Sequence, residues 1–214
     1  MESIKRIVIF SLIQRLMHAA IALGVLFELI SAWLIQHSDV DVIAWSDWHA
    51  MVGQVLLLVI ILRVALLFKK DSTHWRLLIP TREQRHIVVQ TLKFYASLGR
   101  LPCPDWYAIN PVWQPVYLVL LLVLLFSALS GFLIGKLLLV FGIAMSEIHI
   151  SLGLTVLYFT VAHTVFVILH DAKGNGAQIS AMLNGYKFFM PKNPSQNTQV
   201  TEENSVSLDS LLKK

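Results

Sequence analysis

Residues 148–170 read IHISLGLTVLYFTVAHTVFVILH, an apolar run without Asp, Glu, Lys or Arg in which His149 and His163 stand fourteen residues apart. A helix needs about twenty such residues to cross a hydrocarbon core about 30 Å thick. At about 100° per residue, fourteen steps fall about 40° short of four turns, so both imidazoles lie on one face. The rise of about 1.5 Å per residue sets them about 21 Å apart, one near each side of such a core. Imidazole facing lipid without a partner is costly, so histidines at this depth point into a bundle and mark a functional site.

Composition agrees with a membrane setting. The 214 residues are 56% hydrophobic and 14% charged, with a mean hydropathy of +0.67, too apolar for a soluble domain of that size. The single cysteine, Cys103, excludes a disulfide framework within the chain, a thiolate-held iron–sulfur cluster and a covalent C-x-x-C-H haem attachment. The basic residues flank hydrophobic spans and form no soluble basic face, which argues against nucleic acid as the partner.

Four spans are expected, at 7–35, 49–68, 112–135 and 148–170. The first is longer than a signal peptide's apolar region and lacks a small-x-small cleavage site, so it is expected to remain as a membrane helix. It carries Arg15, His18 and Glu28, the last read as an inward carboxyl bonded to a neighbouring helix, with a proton relay as the sharper alternative. The connection 36–48 holds three Asp, and Trp33, Trp45 and Trp48 bracket it as interface anchors. The long basic connection 71–110 contains Thr81 and Gln84 at capping-box spacing. Beyond them Val88, Leu92 and Tyr95 suggest an amphipathic helix on the membrane surface. Past His170 lies a short amphipathic piece with Ile179, Met182, Leu183 and Tyr186, then a polar tail. The division expected is a membrane domain over 1–190 and a disordered tail over 191–214.

Sixteen of the seventeen Lys and Arg fall at the N-terminus, in the connection between spans two and three, and in the tail, Arg63 being counted with that connection. Only Lys136 lies on the opposite side. By the positive-inside rule both termini are cytoplasmic and the setting is a bacterial inner membrane. Depths can then be matched: His49 and His149 each open a span at the non-cytoplasmic face, while His18 and His163 are level nearer the cytoplasm. Gly53 and Gly153 each follow a histidine by four, placing bare backbone one turn away, where a flat macrocycle can pack. Arg63, fourteen after His49, and Arg15 are placed to pair with haem propionates.

Two neutral histidines per site fall short of zinc's usual four ligands. Haem supplies its own four nitrogens and asks the protein for two, and bis-imidazole ligation with no open axial position favours electron transfer over oxygen chemistry. The reading is therefore an all-α membrane protein, a four-helix bundle holding two b-type haems on His18, His49, His149 and His163.

The order of those histidines, the fourteen-residue spacing in the last span, the H-x-x-x-G-x9-R run from His49 to Arg63 and the segment Asn110-Pro-Val-Trp-Gln114 together carry a resemblance. Over roughly residues 5–190 the chain resembles the di-haem cytochrome b subunits of respiratory formate dehydrogenase, nickel-iron hydrogenase and thiosulfate reductase. The resemblance implies that the last helix ligates both haems and that a menaquinone or ubiquinone site lies beside the cytoplasmic one. Asn110, Gln114 and His163 are then candidates for quinone contacts. It further implies a soluble catalytic or iron–sulfur partner on the periplasmic face, formate dehydrogenase-like first, which would make the chain an electron-transfer subunit with no catalytic residues of its own. The alternatives are a free-standing di-haem quinone oxidoreductase and, from another class, a haem-free membrane anchor or transporter.

Each candidate has a plainer reading. A lone buried histidine is often only a satisfied polar group, and it is the match of four in depth and face that favours ligation. His170, at the membrane edge, is the rival ligand and more readily a quinone-site or surface residue. Arg63 could simply snorkel at a helix end, and Gly131 after Ser130 serves close helix packing.

Overall fold

The computed structural model describes residues 5–38, 41–69, 74–104, 106, 109–173 and 178–189. Among them four helices are long and apolar enough to cross a membrane: α1 (Leu12–His37), α2 (Val42–Leu67), α4 (Trp113–Leu133) and α5 (Met145–Lys173). At about 1.5 Å per residue even the shortest spans a core of about 30 Å. The expected tail over 191–214 lies outside the described residues.

The starts of α1 and α4 are written in their caps. Ser11 and Gln14 cap α1 reciprocally, the Ser11 amide donating to Gln14 Oε1 at 2.9 Å. Asn110 plays a similar part ahead of α4, its Oδ1 accepting from the Val112 amide at 3.0 Å. The connection expected over 36–48 is shorter than its polarity suggests. Asp41 turns the chain in the left-handed region (φ 56), and α2 begins at Val42, so Trp45 and Trp48 already lie on its first turns. Asp and Trp are tolerated there because that end of the helix lies where side chains reach water.

The helix α2 packs on α1 and on α4, and α4 on α5, while the backbone of α5 meets α1 and α2 at most at isolated points. Val25 of α1, Leu56 and Ile60 of α2, Leu121 and Leu124 of α4 and Val156 of α5 form the apolar core. Gly24 lets α1 and α2 close on each other: a Cβ there would lie 2.9 Å from Leu56 Cδ1. What bridges α5 to α1 and α2 is side chains, and above all histidines.

Between α2 and α4 come two single helical turns, Trp75–Leu78 and Arg82–Gln84, then α3 (Arg85–Ala96). The expected capping pair holds, the Thr81 amide donating to Gln84 Oε1 at 3.0 Å. The buried residues of α3 are Thr91 and Phe94, while Leu92, on the apolar stripe expected to lie on the membrane surface, is exposed. The helix turns Phe94 and Tyr95 onto the end of α5, with ring centroids 5.2 Å from His170 in both cases. Two small ladders complete the fold. The short α4–α5 link forms a hairpin, β2 (Leu139–Val140) with β3 (Ile143–Ala144). At the other end β1 (Lys5–Val8) pairs antiparallel with β4 (Tyr186–Phe189), which follows the short helix α6 (Gln178–Asn184). The sequence pattern anticipates neither ladder, since the strands are too short to show an alternation of period two.

Candidate haem sites

His49 lies on the second turn of α2 and His149 on the second turn of α5, and their rings stand edge to face with centroids 6.1 Å apart. At the other end of the bundle His18 of α1 and His163 of α5 bring their centroids to 6.4 Å at an interplanar angle of 57°. Fourteen residues of α5 separate the pairs by about 21 Å along the axis. The structure thus brings all four expected histidines together two by two, at the expected levels.

These spacings test the fit of an iron between each pair. Two metal–imidazole bonds of about 2.0 Å on opposite sides, with about 1.1 Å from each nitrogen to its ring centre, would put the centroids about 6.2 Å apart. The observed 6.1 and 6.4 Å match that length, and rotation about the bond axis leaves the interplanar angle free. Among the described residues no group of three or more His, Cys, Asp or Glu gathers as a metal site, so each pair suits a group that brings its other ligands with it.

Bonds on the far side of the rings fix the orientation at the His49 end. His149 Nδ1 is 3.0 Å from the Ser127 carbonyl, which can only accept, so Nδ1 carries the proton and Nε2 keeps its lone pair. Ser130 Oγ stands 3.2 Å from the same nitrogen and donates to the Ser127 carbonyl at 2.8 Å. His49 Nδ1 meets Glu28 Oε2 at 3.0 Å and Ser31 Oγ at 2.8 Å, while the Ser31 hydroxyl donates to the Glu28 carbonyl at 3.1 Å. Glu28 is therefore the inward carboxyl expected, and the neighbouring helix it bonds is α2, at a candidate ligand. Ser31, Ser127 and Ser130 escape a reading of the sequence, because a serine in an apolar helix ordinarily bonds its own backbone. Gly131 does more than admit a close helix: its missing Cβ leaves room for the His149 ring.

The His18/His163 end is built differently. No hydrogen bond joins either ring among the described residues; the neighbours are aromatic. Phe159, one turn before His163, stacks on it at 5.6 Å and 12°, and Trp113 and Tyr117 of α4 stand edge-on to it at 6.3 and 6.0 Å.

The two glycines of the shared pattern part company. A Cβ on Gly153 would meet nothing within 4 Å, which leaves the open face a flat macrocycle needs. On Gly53 a Cβ would touch Glu28 Oε2 at 3.5 Å, so that glycine faces the carboxyl and not an open slot. Arg63 is partly buried, and its Nη1 has no hydrogen-bond partner among the described residues. A propionate would supply the missing acceptor. Arg15 donates from Nη1 to the Leu183 carbonyl at 2.6 Å, tying α1 to the end of α6, and its buried Nε has no hydrogen-bond partner among the described residues.

The quinone candidates also divide. Both ends of the Asn110 amide are engaged, Nδ2 donating to the Tyr95 hydroxyl at 3.0 Å and Oδ1 accepting from the Val112 amide just ahead of α4. The same hydroxyl accepts from Trp113 Nε1 at 2.6 Å. Burial pushes the Tyr95 phenol up to about 12, against the opposing pull of these two donors. Gln114 donates only a long 3.4 Å bond to the Ile109 carbonyl, and its buried Oε1 has no partner among the described residues. His170 is a packing residue here, 5% exposed, with Nδ1 donating to the Phe166 carbonyl at 2.9 Å and its ring against Trp106 at 4.9 Å. That burial removes the surface role expected for it.

The model of the family described as prokaryotic cytochrome b561 matches residues 9–185, which include both histidine pairs and all four long helices. No curated protein and no solved structure matches the chain. The chain belongs to that family, and is a multi-pass membrane haem b protein of electron transfer.

Proposed function

We propose that this chain, as a member of the prokaryotic cytochrome b561 family, holds two b-type haems in a stack and passes electrons along it between a soluble redox partner and the membrane quinone pool. The observation that carries the reading is the pair of imidazole spacings, 6.1 Å for His49/His149 and 6.4 Å for His18/His163, on levels set by fourteen residues of one helix. Each haem would be held by one histidine pair, His49 with His149 or His18 with His163, and would supply a one-electron iron couple.

The chain's own residues do the rest. Ser127 and Ser130 engage Nδ1 of His149 and leave its Nε2 available as a ligand, and Glu28 and Ser31 do the same for His49. Arg63 offers a buried cation at the level of His163 for a propionate, with Arg15 at the level of His18. Gly153 leaves the face of α5 open to the macrocycle. The apolar core around Ile60 and Leu124 keeps water from the space between the levels.

The distribution of Lys and Arg supports an orientation with both termini cytoplasmic and the His49/His149 end periplasmic. On that orientation a periplasmic catalytic or iron–sulfur subunit, formate dehydrogenase-like by resemblance, meets the His49/His149 end. The quinone, menaquinone or ubiquinone, meets the His18/His163 end. Of the three quinone candidates, Gln114, whose buried Oε1 has no hydrogen-bond partner among the described residues, is preferred to Asn110, which is committed to Tyr95 and to the Val112 amide, while His163 is taken as a haem ligand.

The test is quinol-driven reduction of the purified protein, followed at the haem absorption bands. Reduction by a short-chain quinol, slowed at least tenfold in Gln114→Leu, is expected. Haems that dithionite reduces and no quinol does would overturn the quinone assignment. Co-purification from native membranes tests the partner: a stoichiometric soluble subunit is expected, and a chain that purifies alone with full quinol activity would contradict it.

A further inference from the structure

We propose that Glu28 is a positioning residue that lowers the reduction potential of the haem at His49/His149 relative to that at His18/His163; the inference rests on the two-haem reading above. Glu28 lies in the interior of α1, and its Oε2 stands 3.0 Å from His49 Nδ1. Its Oε1 is buried without a hydrogen-bond partner among the described residues. A carboxyl at membrane depth is costly and calls for a compensating contact. Here that contact is the ring expected to bind iron.

The local hydrogen bonds fix the direction of the proton. Ser31 is fully buried and its hydroxyl donates to the Glu28 carbonyl, so its lone pairs face His49 Nδ1 at 2.8 Å. A carboxylate only accepts. Two acceptors thus converge on Nδ1, which must carry the hydrogen, and Nε2 is left as the donor to a metal. A negative charge on the far side of that hydrogen draws it outward and makes the imidazole a stronger electron donor. A stronger donor favours ferric over ferrous iron, and hydrogen bonding behind an axial ligand is one of the levers a protein has on haem potential.

The other three rings lack this feature. His149 Nδ1 donates to the neutral Ser127 carbonyl at 3.0 Å. His18 and His163 have no hydrogen bond among the described residues, and the surroundings of His163 are the rings of Phe159, Trp113 and Tyr117. The charge therefore acts on one end of the stack alone. It favours transfer of a single electron from the His49/His149 end to the His18/His163 end.

The experiment is a spectroelectrochemical redox titration of detergent-purified, fully loaded protein, wild type and Glu28→Gln, with the low-spin EPR spectrum of each ferric haem. The couple lost in His149→Ala identifies the site. In Glu28→Gln that couple is expected to move positive by a tenfold or greater change in the preference for ferrous iron, about 59 mV for one electron, with its EPR g values shifted and the other couple unmoved. Glu28→Asp keeps the charge one methylene farther from Nδ1 and is expected to keep the haem and move the same couple by a smaller step in the same direction. Couples that stay at their wild-type values in both variants would overturn the inference, as would an equal shift of both couples. A wild-type protein with fewer than two couples would instead break the two-haem reading on which it rests.

Discussion

A Cβ built on Gly131 would lie 2.8 Å from Cε1 of His149 and 3.2 Å from its Nδ1. The glycine of α4 is thus the seat of an imidazole on α5, and Ser127 and Ser130, on the turn before it, take up the ring nitrogen. Gly131→Ala must push the ring away and break its bond to the Ser127 carbonyl, at a cost of about 1 kcal/mol before any haem is counted. The expected outcome is a folded protein that loses haem from the His49/His149 site and keeps the other. Pyridine haemochrome content per chain, falling by about half, checks it.

Tyr95 joins α3 to the start of α4 through one oxygen that accepts from both Asn110 and Trp113. Tyr95→Phe leaves two donors without an acceptor, at about 1–3 kcal/mol, and a lowered thermal midpoint at pH 7 is the expected reading.

The same phenol predicts an alkaline limit. Its folded value is raised from 10.0 to about 12, so above pH 10 the unfolded chain gives up the proton first. The contribution is fully present below pH 10 and is lost as pH rises towards 12, by at most about 3 kcal/mol. Stability measured from pH 9 to 12 is expected to fall more steeply in wild type than in Tyr95→Phe.

The bundle and its histidines were legible because lipid leaves the sequence few choices. A spanning segment must be long, apolar and helical, so His49, His149 and His163 stand out by depth and spacing alone. What binds behind those rings was not legible. Ser31, Ser127 and Ser130 look like ordinary serines in apolar helices until the fold sets them against a neighbouring ring. Gly53 and Gly153 share one local pattern, yet one faces Glu28 and the other open space, because α1 covers only the first of them. Asn110 has a donor and an acceptor suited to a quinone, and tertiary packing spends both on Tyr95 and a helix start.

Arg63 carries a buried Nη1 without a hydrogen-bond partner among the described residues, and it follows His49 by fourteen residues as His163 follows His149. Removing its charge should favour ferric iron at the His18/His163 end. In Arg63→Gln the couple that survives in His149→Ala is expected to move negative by about 59 mV, a tenfold change in preference, while Arg63→Lys stays near wild type. Redox titration of the variants reads it directly.

The central claim is that four histidines on three helices hold a stacked pair of haems. Haem quantitation by pyridine haemochrome, on purified protein beside His149→Ala and His163→Ala, tests it most directly. The expected result is about two b haems per chain in wild type and about one in each variant, with different spectra remaining in the two. Folded wild-type protein without haem, or variants that both keep the full complement, would contradict it.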